Sequence, residues 1–451
     1  MRPLMLKSFV LAAVLTVAVV AMPGAPAFCT VAAFVALSVA AQLAYRRTRA
    51  FTPVGETILV VASALLGIGV IANVYYFTTV SGGTDASPVL HNPDALRNWT
   101  HATELLAGEA VTVPKHHGGI GYVYAGLMWL TGRSVTTILV ASAACTMITL
   151  VCSAVLARRV GGSRRDATVA MGATASVCYL LASGMIGIKD AWVIMLTALA
   201  ACSLFVRKGH GANLPLFMFS VAMIAFLRAN YALGIAFGVV FAAWMRGFGR
   251  KTLTDSVIAL VMCGLCWVAV TALSYTPELS YVAKGNSISA YSPNQRAFFN
   301  IVGDYVAYPE YVKLLLLPVT AITQFLIPFP WNFGRDVVFG YSQIYAHIAY
   351  PWYIFGGVFV YWLVARMRRH SPRALVCLVL WGLMLWLVPC YTSQGTVSRY
   401  ALPAVPLLAP AVASVLIQCR RRRSFVIWMS CYAGIMAVVL VICHHLQMSA
   451  Q

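Results

Sequence analysis

Apolar runs long enough to cross a lipid bilayer recur along this chain, and they leave it few folds to adopt. A spanning helix needs about 20 apolar residues to cross roughly 30 Å of hydrocarbon. About thirteen stretches read as spans: 8–22, 26–45, 53–78, 134–157, 167–187, 188–206, 213–227, 229–245, 255–274, 350–365, 374–391, 401–418 and 424–443. Backbone polar groups in lipid must find partners within the protein, and a helix supplies them inside each segment. The expectation is an all-α, polytopic transmembrane helical bundle that forms one domain over 1–451. Composition agrees, since only 10% of the 451 residues are charged and 61% are hydrophobic. Water-soluble domains carry roughly 25% charged residues.

The first run follows Arg2 and Lys7 and precedes "PGAPA", which is the outline of a secretory signal. A second apolar run follows at once and ends in "RRTR". The first run is therefore read as an uncleaved span, with cleavage after Ala25 or Ala27 as the alternative. The formal net charge of +20 is concentrated in clusters on one side: "RRTR", "RRVGGSRR", "RKGHG", "RGFGRK", "RMRRHSPR" and "RRRR". That side holds 22 of the 32 Lys and Arg, but only Glu56, Asp166 and Asp255 of the 12 carboxylates. The positive-inside rule makes it cytoplasmic, N terminus included. The opposite face is nearly neutral, so the basic excess reports topology and no nucleic-acid partner is expected. The 12 Cys lie almost entirely in apolar runs. "CGLC" at Cys263 to Cys266 has redox spacing, but thiols inside an apolar helix stay protonated and inert. The spacings give no disulfide framework and no zinc site.

Nine carboxylates fall on the outer face: Asp85, Asp94, Glu104, Glu109, Asp190, Glu278, Asp304, Glu310 and Asp336. Most sit in two long outer regions, 81–133 and 276–349, and loops of such length are often functional. The stretch 313–331 is apolar enough to span, but a crossing there would put "RMRRHSPR" outside. With Pro318, Pro328 and Pro330 it reads as re-entrant, or as a hairpin returning to the outer face.

The first outer region opens with "NPDALRNWTHATELLAG". Asn92 suits an N-cap, Pro93 the first helical position, Asp94 the positive end of the helix dipole, and Gly108 the stop. Ala95, Trp99, Ala102, Leu105 and Leu106 recur at steps of about one helical turn. Asp94, Arg97, His101 and Glu104 form the other stripe. The segment reads as a juxtamembrane amphipathic helix at the outer interface, followed by a second short helix over 119–130. Periodicity alone fits a scaffold helix with its polar stripe in water. The sequon "NWT" at Asn98 lies inside this helix and is discounted.

The order of features resembles the first extracytoplasmic loop of the GT-C superfamily of polytopic glycosyltransferases. The nearest members are the protein O-mannosyltransferases and the lipid A aminoarabinose transferases. In "PDALRNWTHATELLAGEAVTVPKHHGGIGYVYAGLMWLTG", Asp94 matches the catalytic Asp of those families, Arg97 an Arg three residues on, and Lys115 a loop Lys at shorter spacing. "GIKDAWVIMLTALAACSLF" places Asp190 at a second acidic position, and "FLRANYALGIAF" places Arg228 at a basic outer helix end. "SRYALPAVPLLAPAVASVL" resembles the late span entry of the family, with Arg399 and Tyr400. The chain departs from the pattern in three ways. More than one span precedes Asp94, Ala95 stands where many members carry a second acid, and the middle of the second outer region aligns with nothing.

The resemblance implies transfer of a sugar from a polyprenyl-phosphate donor to a glycan, lipid or protein acceptor, on the outer face of a bacterial inner membrane. Asp94 would act as general base, with Asp190 as second acid or structural partner. Arg97, Lys115, Arg228, Arg399 and Tyr400 would bind the donor. Arg228 alternatively forms an ion pair between helices, and Arg399 alternatively snorkels to the head groups. No cofactor is expected, though Asp85, Asp94 and Asp190 are the set that could hold a divalent metal. Tyr281, Tyr291, Tyr305, Tyr308 and Tyr311 fit either a glycan cleft closed by a lid or an interfacial aromatic belt. Two rivals remain: an O-antigen polymerase or ligase, and a lipid-linked sugar flippase or transporter. Against the transporter, no charge falls mid-span and no internal repeat is found.

Overall fold

The computed structural model describes residues 2–21, 28–79, 93–109, 118–132, 135–205, 212–247, 253–261, 263–265, 310–326, 342–367, 371–392 and 398–449. Among these the structure is helical, with no strand. The elements are α1 (Arg2–Ala21), α2 (Phe28–Arg46), α3 (Pro53–Thr79), α4 (Pro93–Ala107), α5 (Gly118–Thr131), α6 (Val135–Arg159), α7 (Arg164–Ser176) and α8 (Cys178–Met185). They continue with α9 (Lys189–Leu204), α10 (Leu214–Leu227), α11 (Ala229–Arg246), α12 (253–261), α13 (Glu310–Leu326), α14 (Ser342–Ala365) and α15 (Arg373–Thr392). A 3-10 helix (Ser398–Ala404), α16 (Val405–Gln418) and α17 (Arg423–Ser449) complete the chain.

Among the described residues six helical segments are long and apolar enough to cross a membrane: Leu4–Ala21, Cys29–Arg46, Pro53–Val74, Val135–Arg159, Ala401–Gln418 and Arg423–Ile442. Shorter apolar helices among the described residues lie at 214–227, 234–246, 253–261, 350–365 and 373–387. The expected span 167–187 is instead divided at Val177, whose ψ of 80° leaves the helical region between α7 and α8. Val177 is fully buried in protein, the setting in which a membrane protein tolerates a broken helix. Within 313–331, residues up to Leu326 belong to one helix, α13, with Pro318 inside it. Pro328 and Pro330, where a return would begin, lie outside the described residues.

Burial sorts the helices into core and periphery. In α16 and the 3-10 turn before it, 78% of the apolar window is inside the protein, against 6% in α17 and 11% in α1. Small residues in "VPLLAPAVAS" let α6, α7, α14 and α15 approach α16 closely. The outer faces of α1 and α17 present Phe9, Val17, Ile435 and Val441, as expected of lipid-facing helices.

One end of the bundle is tied by charge. Glu56 at the start of α3, 2% exposed, receives Lys7 Nζ of α1 at 2.9 Å and Arg46 Nε of α2. α7 starts with a capping box, Asp166 N donating to Ser163 Oγ at 3.2 Å and Ser163 N to Asp166 Oδ2 at 2.6 Å, which satisfies two free N-terminal donors.

α11 and α15 meet around Trp381, which is fully buried. Its indole N–H donates to Gly234 O at 2.9 Å, and its ring stacks on Phe205 with centroids 5.9 Å apart. A Cβ on Gly238 would lie 2.2 Å from that ring. Gly238→Ala is therefore expected to cost about 1–3 kcal/mol through overpacking, because the pinned indole has no rotamer to retreat into. Thermal unfolding in detergent reads this as a lowered midpoint, whereas Gly264→Ala, with nothing near its Cβ, serves as the neutral comparison.

Candidate active site

α4 begins at Pro93, where a missing N–H costs nothing. It ends in a Schellman motif: Glu109 N donates to Glu104 O at 3.0 Å and Gly108 N to Leu105 O at 3.4 Å, with Gly108 at φ +68°. Only glycine takes that backbone readily. The expected stripes are present, but the helix does not lie with its polar side in water. Asn98, His101, Thr103 and Glu104 are buried, as are Ala95, Trp99 and Ala102 opposite. The burial of Asn98 also removes the sequon from solvent.

α5 explains the burial. Ile120, Tyr124 and Met128 recur every fourth residue and face the core. Between them Gly121 leaves room for the His101 imidazole, since a Cβ there would lie 2.3 Å from Nδ1. Tyr122 meets the same imidazole edge-on at 5.2 Å. Gly119 lets α5 touch α10, where a Cβ would lie 2.2 Å from Phe226 O, and Tyr122 and Phe226 have ring centroids 6.2 Å apart. Tyr124 reaches inward and donates to Gly187 O at 2.9 Å, just before α9.

Two residues beyond Phe226 the chain breaks at Arg228, extended at φ −158° between α10 and α11. Its guanidinium lies 3.0 Å from Asp190 Oδ1 in the first turn of α9 and 5.7 Å from the Tyr231 ring centroid. Asp190 is 4% exposed. The helix dipole favours a carboxylate there, and the guanidinium supplies the charge partner that such burial demands. The 3-10 turn that carries Arg399 and Tyr400 packs on α9 and α15. Contacts thus run from His101 through Tyr122 to Phe226, two residues before the arginine of the Arg228–Asp190 ion pair.

The structure brings Asp190 and Arg228 together as an ion pair, the alternative weighed for Arg228. Arg97 is half-buried on α4. Asp94 is the second residue of α4, but its side chain, like those of Arg399 and Tyr400, lies outside the description. Lys115 and Asp85 are outside the described residues altogether, as are Tyr281, Tyr291, Tyr305 and Tyr308. Among the described residues no three His, Cys, Asp or Glu converge as a metal site would require.

His101 is the residue that sequence reasoning placed on the stripe without giving it a role. It is 2% exposed, and neither ring nitrogen has a hydrogen-bond partner. Burial lowers its pKa from the ordinary 6.5, and the charge of Glu104 opposes this only in part. The folded state therefore holds the imidazole neutral, while the unfolded chain takes up a proton below 6.5. The seating of α4 is accordingly strongest above that pH and weakens as pH falls below it. Hydrogen exchange is expected to show α4 amides losing protection relative to α5 between pH 7.5 and 5.5, after correction for intrinsic rates. In His101→Phe this difference should vanish.

No family model and no curated protein matches the sequence. Among solved structures the chain is similar to the archaeal oligosaccharyltransferase AglB from Archaeoglobus fulgidus, determined in complex with an inhibitory peptide and a dolichol-phosphate. The identity is 13%, the TM-score is 0.48, and the match covers 88% of this chain and 55% of that one. The chain thus spans about half the length of that protein.

Proposed function

We propose that the protein is an integral membrane glycosyltransferase that moves a sugar from a polyprenyl-phosphate donor to an acceptor hydroxyl at the outer face. The observation that carries this reading is the inward turn of the α4 polar stripe. A scaffold helix would give Asn98, His101 and Glu104 to water; here they are buried, and His101 connects through Tyr122 to Phe226, two residues before Arg228. Buried ionisable groups gathered at one end of a bundle suit interfacial chemistry better than transport, which places such groups mid-membrane.

Asp94 is the base in this reading. It takes the proton from the acceptor hydroxyl as oxygen attacks the anomeric carbon. The bond from that carbon to the phosphate oxygen breaks, and polyprenyl phosphate leaves with the negative charge. Arg97, Lys115 and Arg399 neutralise that charge as it grows, and a planar guanidinium matches phosphate through paired N–H donors. Asp190 holds Arg228 in place, so Arg228 offers the donor only those N–H groups that Asp190 leaves free. Tyr400 borders the donor beside Arg399. The acceptor is a glycan, lipid or protein, the membrane is the inner (plasma) membrane, and the site faces away from the cytoplasm.

Proteoliposomes supplied with polyprenyl phosphate carrying a radiolabelled sugar test this directly. Transfer predicts that label moves to an acceptor while free lipid phosphate appears. A ladder of lengthening products would make it a polymerase instead. Label that crosses the bilayer still joined to its lipid would make it a transporter.

A further inference from the structure

The end of the bundle opposite the candidate site holds arginines whose buried Nε–H groups have no acceptor. Arg366, at the end of α14, is 8% exposed. Its Nη2 donates to Gln418 Oε1 at the end of α16, but its buried Nε has no hydrogen-bond partner. At the end of α6, half-buried Arg158 donates Nη1 to Gly162 O, while its buried Nε is likewise without a hydrogen-bond partner. The loops after α6 and α14 touch, a Cβ on Gly161 lying 3.6 Å from Pro372 Cγ. Ser371 Oγ, one residue before Pro372, donates to Arg366 O at 3.2 Å. Arg158 and Arg366 therefore flank one seam where the loops after α6 and α14 meet, beside the end of α16.

No carboxylate is left to serve them among the described residues of this end. Glu56 is held by Lys7 and Arg46, Asp166 by the Ser163 cap, and Asp255 lies 3.7 Å from Arg246. A desolvated N–H without an acceptor carries a penalty that native structures rarely tolerate. An anion that presents acceptor oxygens at the membrane surface would both satisfy these donors and neutralise their charge. Arg420, Arg421, Arg422 and Arg423 stand exposed just beyond Gln418 and extend the positive field outward.

From this geometry we infer that the seam is a binding site for the phosphate of an anionic phospholipid head group. It is separate from the candidate site and does not depend on the glycosyltransferase reading. Forked guanidinium donors match a phosphodiester, and basic pockets between helices on the cytoplasmic side commonly hold such head groups. The site would fasten the ends of α6, α14 and α16 together.

The test uses the full chain in detergent. Its thermal midpoint is followed on addition of mixed micelles of dioleoylphosphatidylglycerol, of dioleoylphosphatidylcholine, or of inorganic phosphate. Phosphatidylglycerol is expected to raise the midpoint by a few degrees more than phosphatidylcholine, and Arg366→Gln to remove about half or more of that difference. Gln418→Ala should keep it, because the ligand and not Gln418 satisfies the site. Should Arg366→Gln fail to fold, Arg158→Gln carries the same expectation. A rise with inorganic phosphate as large as that with phosphatidylglycerol supports the anion site and makes a soluble anion its source. Equal effects of the two lipids would overturn the inference, and so would a loss in Gln418→Ala matching that in Arg366→Gln.

Discussion

Asp94→Asn is expected to lower turnover by about 10²–10⁴-fold while leaving donor affinity nearly unchanged. That range is what a positioned general base contributes. The amide keeps the size and one acceptor oxygen of the carboxylate but cannot take a proton at neutral pH. In the proposed mechanism donor binding rests on cations and not on Asp94, so the loss should fall on kcat with KM for the donor preserved. Saturation kinetics in proteoliposomes separate the two. Asp94→Glu, which restores the base on a longer arm, should recover part of the rate. A fall confined to KM would move Asp94 from proton transfer to donor binding.

Arg228→Ala is expected to destabilise the fold by about 3–5 kcal/mol, the usual consequence of stripping a buried carboxylate of its partner. Asp190 is 4% exposed, so water is a poor replacement for the guanidinium there. The Arg228 guanidinium also lies 5.7 Å from the Tyr231 ring centroid, and that contact goes as well. Thermal unfolding should show a much lower midpoint. The double variant Asp190→Asn/Arg228→Ala should recover much of the loss, because it removes the orphaned charge. A single-variant midpoint close to wild type would mean that the pair is wet and that Arg228 is free for the donor.

What the sequence disclosed follows the range of the forces involved. The helix at 93–107 and its stop at Gly108 were legible because capping, proline placement and periodicity are local. The side to which its polar stripe turns was not legible, because it depends on α5 and α10. The one trace was "GIGY", where Gly121 makes room for His101 and Gly119 for the α10 backbone. The Asp190–Arg228 contact joins two separate helix starts; each residue was recognisable and an ion pair between helices was weighed for Arg228, but its partner was not legible. The division of 167–187 at Val177 carries no proline or glycine at the break. It survives because the surrounding helices exclude lipid, a property of the assembled bundle.

The central claim is that the end of the bundle carrying α4, the start of α9, the break at Arg228 and the 3-10 turn receives the lipid-linked sugar. Photo-crosslinking tests it most directly, with a polyprenyl phosphate that bears a diazirine beside the phosphate, followed by peptide mapping. The account predicts label on peptides covering 93–107, 226–231 and 398–404, displaced by unlabelled donor. Label gathered instead on 158–165, 366–373 and 418–423 would place the donor phosphate at the arginine-rich end and contradict the account.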